Sequence, residues 1–301
     1  MLAAAALLLA WALDAACGEP RNAWHPVAWF GRAMAACGRL LLRLRPAPAL
    51  IGGALAWTLA VGAVAAAAWW LQSWLATLPP WLALPLLALA LKPAFAWRML
   101  KDEVRAVEAA LQRGLDAGRQ RLARLCSRDV SALDAGSVRE TAIESLAENL
   151  NDSLVAPLFW FAVAGLPGAW AWRAANTLDA MWGYRGRWEW AGKWAARADD
   201  LLAWLPARLC ALLLWRPAIA PAELRREARR TPSPNGGWPM AALALRLGVR
   251  LGKPGVYRLN AAAPVPDGAI VSRALTLANA AARAALLLCM LALAWRHGAG
   301  A

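Results

Sequence analysis

Glu140, Glu144, Glu148 and Asp152 recur at every fourth position, with Asn149 and Asn151 among them, directly ahead of the apolar run Leu154 to Ala164. On a helix each four-residue step turns about 40° beyond a full circle, so the acids fall on one shallow spiral stripe, roughly 6 Å apart. Like charges at that spacing repel, and beside a membrane ionised carboxylates are costlier still. The stripe therefore calls for a cation. Hard oxygen donors of this kind suit Mg²⁺, which takes one or two protein carboxylates and shares its remaining positions with water and phosphate oxygens, so a nucleotide-bound metal fits. The plainer reading is a solvated acidic face, with Glu140 a neighbour of Arg139. Against it stands the run Glu144 to Asp152, which puts polar groups around most of a turn just before an apolar segment.

Other clusters carry weaker signals. Asn176-Thr177-Leu178-Asp179 with Met181-Trp182-Gly183-Tyr184 forms one, and Arg197, Asp199, Asp200 and Arg208 another. A charge as deep in an apolar stretch as Arg208 is usually paired or functional, and Asp200 is one available partner. Ser233-Pro234-Asn235-Gly236-Gly237 forms a compact turn whose amides suit phosphate, although a plain loop has the same spacing. His25, in Trp24-His25-Pro26-Val27, reads as an interfacial hydrogen-bonding residue, and His297 as incidental. The five cysteines show no CxxC spacing, which points to buried thiols and away from zinc or a disulfide framework. With no Walker loop, GxGxxG element or Ser/His/Asp arrangement, nucleotide chemistry here would use an uncommon site.

The elements that must hold these residues are membrane helices. The chain is 60% hydrophobic, with a mean hydropathy of +0.40, more apolar than an ordinary globular protein of 301 residues. The expected class is all-α: one integral membrane domain, 1–301, of several spans. Leu50 to Leu91 is uncharged and about twice the roughly 20 residues that cross a bilayer, and Leu78-Pro79-Pro80 breaks it into a hairpin of two spans. Further candidates are Leu154 to Ala171, interrupted at Gly165-Leu166-Pro167-Gly168, then Leu201 to Ala220, and Ala274 to Trp295. The interrupted segment is read as turning back, because a broken helix at membrane depth is tolerated where it lines a polar cavity. The first sixteen residues lack a basic start and carry Asp14, so they are read as a retained helix and not a signal peptide.

Ten of the nineteen acidic residues fall between Asp102 and Asp152, marking 92–153 as a mainly cytoplasmic helical segment. In it Val104, Val107, Leu111 and Leu115 share one side, and a second helix starts near Asp134 to Ser137. Residues 221–272 are expected to form a cytoplasmic loop segment. The formal net charge of +14 is dispersed between apolar runs, which excludes a nucleic-acid partner and points to topology. Arg21, Arg32, Arg39, Arg43 and Arg45 precede the first clear span, and Arg225, Arg226, Arg229 and Arg230 follow Leu201 to Ala220, placing both on the cytoplasmic side.

Taken in order, Asp14, Gly18-Glu19-Pro20, His25-Pro26-Val27, Ser127-Arg128-Asp129, Glu144-Ser145-Leu146-Ala147-Glu148-Asn149 through Asp152 and Pro157, Asn176-Thr177-Leu178-Asp179, Gly183-Tyr184, Ala195 to Asp200, Pro206-Ala207-Arg208, and Ser233-Pro234-Asn235 with Gly237-Trp238-Pro239 resemble the adenosylcobinamide-phosphate synthase family, integral membrane enzymes of cobalamin biosynthesis. Ser127 and Ser153 stand where glycine is expected, and Trp182 departs mildly from the pattern. The resemblance implies an ATP-dependent ligase that joins a carboxylate of adenosylcobyric acid, a corrinoid, to aminopropanol phosphate or free aminopropanol. It implies Mg²⁺, ATP as cosubstrate, a bacterial inner membrane and an active site facing the cytoplasm; homo-oligomerisation stays open. Metal and phosphate handling falls to Glu144, Glu148, Asn149 and Asp152, with Asp179, Asp199 and Asp200 as further ligands or a general base. Arg128, Arg197 and Arg208 become phosphate or carboxylate clamps, and His25, Asn176, Ser233 and Asn235 further binding residues. A related branch has regulatory roles, so a non-enzymatic membrane sensor or cation transporter is the alternative.

Overall fold

The computed structural model describes the backbone of residues 2–299 and the side chains of residues 2–296; His297 lies outside the described side chains. Helices follow one another as α1 (Leu2–Cys17), α2 (Pro26–Leu41), α3 (Pro46–Leu75), α4 (Pro80–Leu91), α5 (Trp97–Leu111), α6 (Leu115–Leu122), α7 (Ala135–Leu150), α8 (Ala156–Trp182), α9 (Lys193–Leu202), α10 (Trp204–Leu214), α11 (Pro221–Ala228), α12 (Gly237–Leu247) and α13 (Gly268–Ala299). The strands β1 (Leu251–Lys253) and β2 (Tyr257–Leu259) form an antiparallel hairpin. Among the described residues, four helical stretches are long and apolar enough to cross a membrane: Pro46–Leu75, Pro80–Leu111, Ala135–Trp182 and Gly268–Arg296. The protein is a polytopic α-helical membrane protein. At about 1.5 Å per residue α3 exceeds the roughly 30 Å of a hydrocarbon core, so it crosses with tilt. Trp69, Trp70 and Trp74 near its end and Trp81 at the start of α4 are exposed, as expected of an interfacial aromatic belt.

The chain forms two compact units. The first, Met1–Ala96, Ala156–Ala203 and Leu287–Ala301, packs α3 and α2 against α8, and α1 against α4. Its core gathers Leu41, Val61, Ala175, Leu178 and Trp182. Gly53 lets α3 approach closely: a Cβ there would lie 2.0 Å from the Ala191 carbonyl oxygen. Within α8 the helix breaks at Gly165, whose φ of 68° and ψ of −153° suit glycine. The Leu166 N–H freed by the break donates to Gln72 Oε1 at 2.7 Å, so the polar cost of the break is met inside the unit.

The second unit, Trp97–Val155 and Trp204–Leu286, packs α7 against α5, α6, α12 and β1. Asp134 caps α7, accepting the Ser137 N–H at 2.7 Å, where the sequence places a helix start. Val107, Leu111, Leu122, Val138 and Ala142 form its core.

Three expectations change. Leu201 to Ala220 is not one span: α9 ends at Leu202 and the eleven residues of α10 reach only about 16 Å. Leu115 is exposed, because Gly114, at φ 152°, ends the preceding helical path and Leu115 opens α6. Residues 221–272 hold α11, α12 and the hairpin; α12 carries the all-apolar run Met240 to Leu245, buried through Ala244, as a helix surrounded by protein would.

Candidate functional site

The second unit assembles the acidic stripe. Glu140 is buried and receives Arg250 at 2.8 and 3.0 Å, while Arg139 binds Glu108 at 2.8 and 2.9 Å. Glu140 is therefore not a solvated neighbour of Arg139. Glu144 is only 1% exposed. Its Oε2 accepts Arg128 Nη2 at 2.9 Å, and Arg128 Nη1 also donates to Thr141 Oγ1 at 3.0 Å. Burial opposes the Arg128 charge, but Glu144 outweighs it and holds the guanidinium above its ordinary value. Glu144 Oε1 is buried without a hydrogen bond of ordinary geometry. The Tyr257 hydroxyl nonetheless lies near enough to couple to the same carboxylate, and burial together with that charge pushes its phenol well above the usual range.

Glu148, one turn on, is exposed. Asp152, Arg128 and Lys253 all lie within its electrostatic reach. Regular α-helix ends at Leu150, and Asn151–Val155 make a π-helical turn, so the four-residue spacing of the stripe gives way just before Asp152. Such turns frequently mark functional sites. Asn151 Nδ2 donates to Asp152 Oδ1 at 2.8 Å, leaving the buried Asn151 Oδ1 without a donor. Asn149 is turned to the helix backbone, its Nδ2 donating to the Ser145 carbonyl at 2.9 Å.

The Ser233 to Gly237 turn meets the stripe at Gly236, where a Cβ would stand 3.2 Å from Glu148 Oε1. Two of its amides are occupied: Asn235 N and Gly236 N donate to Ser233 Oγ at 3.2 and 3.1 Å. Arg208 pins the turn, donating to Asn235 Oδ1 at 2.5 Å, Pro234 O at 3.1 Å and Trp204 O at 2.9 Å. Its guanidinium sits 4.6 Å from the Trp204 ring and 4.9 Å from that of Trp238.

The first unit carries the remaining residues. Asn176 Nδ2 donates to Asp199 Oδ1 at 3.3 Å, tying α8 to α9, and Arg197, largely exposed, lies 3.8 Å from Asp200. Burial raises the Asp200 carboxyl against the pull of Arg197. Asp179 packs so closely on Gly183 that a Cβ there would meet its Oδ1 at 2.0 Å. His25 uses both ring nitrogens: Nδ1 accepts Val27 N at 3.2 Å as the cap of α2, and Nε2 meets Glu19 at 2.8 Å. Lys92 joins Glu19 at 2.5 Å and Asp14 at 3.0 Å, completing a buried acid, imidazole and ammonium cluster. Burial opposes the charge on Glu19, yet its bonds to His25 and Lys92 prevail and hold it below the usual carboxylate value.

Lys92, Tyr257, Lys253 and Arg250 were not marked by the sequence pattern. The signal for the last three was Pro254-Gly255, a turn pair between short runs that reads as a hairpin once its strands are recognised.

Among the described residues no group of three or more His, Cys, Asp and Glu could hold a metal ion. Glu148 lies within electrostatic reach of Asp152, and Glu144 Oε1 and Asn151 Oδ1 are buried without hydrogen-bond partners; these are the hard oxygen donors that Mg²⁺ takes beside water and phosphate.

An acidic, cation-flanked site in a polytopic helical protein narrows the class, and relatives refine it. Residues 7–294 match the family described as CobD/Cbib protein, and the chain belongs to that family. It is similar to the "Probable cobalamin biosynthesis protein CobD" of Pyrococcus abyssi, 41% identical over 263 residues that cover 86% of this chain and 85% of that one. The "Cobalamin biosynthesis protein CobD" of Rhodobacter capsulatus is 39% identical over 318 residues, 97% of this chain and 98% of its own. That of Klebsiella pneumoniae is 36% identical over 261 residues, 83% and 82%. No solved structure matches the chain.

Proposed function

We propose that this protein acts in cobalamin biosynthesis as an ATP-dependent amide ligase, joining adenosylcobyric acid to aminopropanol phosphate or aminopropanol. The pathway is supported by family membership over nearly the whole chain and by relatives named for it. The observation that carries the chemistry is the stripe itself, where the buried Glu144 is fixed by Arg128 while Glu148 stays exposed beside Asp152 and Lys253.

In this reading the corrinoid carboxylate oxygen attacks the γ-phosphorus of ATP and ADP leaves. The amine then attacks the acyl carbon and phosphate departs. Mg²⁺, when bound, neutralises charge on the transferring phosphate. Glu148 and Asp152 would hold it, and Glu144, held by Arg128, which Thr141 braces in turn, keeps the stripe in register. The arginines ahead of α3 and after α10 favour an inner-membrane protein whose site faces the cytoplasm.

Purified protein given ATP, Mg²⁺, adenosylcobyric acid and aminopropanol phosphate is expected to yield adenosylcobinamide phosphate and ADP in equal amounts. Glu148→Gln should abolish both while keeping the thermal midpoint. Full turnover by that variant removes the stripe from the mechanism. Cation flux dependent on Glu144 and Asp152, without ADP release, would favour a transporter instead.

A further inference from the structure

The arginines that sequence would enlist as anion clamps in the second unit are already engaged. Arg128 serves Glu144 and Thr141, and Arg208 holds the Pro234-Asn235 turn between two indoles. Arg250, which lies nearest the start of the stripe, serves Glu140. A different cation stands at the open end. Lys253 is exposed, and among the described residues its ammonium makes no hydrogen bond and no ion pair.

The hairpin fixes where that amine stands. Lys253 and Tyr257 are directly paired across the two strands, so their side chains share a face with Cβ atoms about 5 Å apart. Tyr257 is coupled to Glu144, and the next acid of the stripe lies roughly 6 Å further along the helix. The strand that carries Lys253 packs against α7, and Lys253 lies within electrostatic reach of Glu148. Beyond Lys253 the hairpin turns through Gly255 at φ 73°. An exposed carboxylate that attracts a divalent cation, with a compact, unengaged ammonium beside it, suits a polyphosphate, whose oxygens bind metal and lysine together. The buried Glu144 Oε1, without a good hydrogen bond, independently marks this stretch as built around a missing partner.

We propose that Lys253 is the polyphosphate-contacting residue of the site, presented beside the acidic stripe by the hairpin that packs on α7. This rests on the ligase reading, since it takes the nucleotide as the ligand.

The test is binding of the Mg²⁺ complex of AMPPNP, a non-hydrolysable ATP analogue, to the full chain in detergent by titration calorimetry. Lys253→Gln should weaken binding at least 10-fold, Lys253→Arg should stay within about 3-fold of the parent, and neither should move the thermal midpoint, since the side chain is exposed. Tyr257→Phe, which keeps the ring and removes only the hydroxyl that donates to Met240 Sδ at 3.8 Å, should leave binding close to the parent's, because the hairpin that presents Lys253 is kept. If the parent binds and Lys253→Gln binds equally well, the Lys253 assignment is overturned and the ligase reading stands. If the parent binds no nucleotide even with adenosylcobyric acid present, both fall.

Discussion

Arg128→Met removes two hydrogen bonds at once and leaves Glu144, 1% exposed, with its charge unmatched. A hydrogen bond to a buried carboxylate contributes about 1.5–3 kcal/mol and one to a hydroxyl about 1. Stranding a buried charge costs about 3–5 kcal/mol. The Arg128 side chain is 15% exposed, so water reaches part of the pair and the lower end, about 3 kcal/mol, applies. At roughly 2 °C per kcal/mol for a chain of this size, the thermal midpoint should fall by about 6 °C. Glu144→Gln removes the charge but keeps an acceptor, and should cost about 1–2 kcal/mol. The double variant should then cost less than the sum, with a coupling of about 2 kcal/mol. Midpoints in one detergent at one scan rate, for parent, both singles and the double, close the cycle. A fall below about 1 °C for Arg128→Met, or additivity within about 0.5 kcal/mol, would refute the view that this pair holds the stripe.

Two further outcomes follow from the same contacts. Gly236→Ala meets Glu148 Oε1 at 3.2 Å and Met240 at 3.4 Å without backbone strain at φ −56°; it should leave the midpoint within about 1 kcal/mol yet cut turnover several-fold by displacing the carboxylate, and unchanged turnover would detach the turn from the site. Glu19 sits below its ordinary value of 4.5 in the folded protein, so its contribution is complete above that value and lost as pH falls through the lower folded value. Acid unfolding below about pH 4.5 should therefore be steeper in the parent than in Glu19→Gln, and superimposable curves would count against the Glu19, His25 and Lys92 cluster.

Local signals reached far in this chain. Asp134 announced the start of α7, Pro79-Pro80 the hairpin between α3 and α4, and Gly165 the break in α8, because each acts through neighbouring residues. The acids of the stripe were legible from spacing and charge. Their partners were not. Arg250 stands 110 residues from Glu140, and Lys92 is 73 from Glu19, and no periodicity reports which distant cation a fold brings to a given acid. The hairpin escaped for a related reason: two three-residue strands are too short to show alternation. Length also misled at Leu201 to Ala220, where an apolar run long enough to span is split at Ala203 by the fold.

The central claim is that ATP activates a corrinoid carboxylate for attack by an amine. Adenosylcobyric acid labelled with ¹⁸O in its free carboxylate, turned over with ATP, Mg²⁺ and aminopropanol phosphate, tests this directly when the released phosphate is weighed by mass spectrometry. The account predicts one ¹⁸O per phosphate, released with one ADP per amide formed. Amide formed without label in phosphate, or formed without ATP, would contradict it.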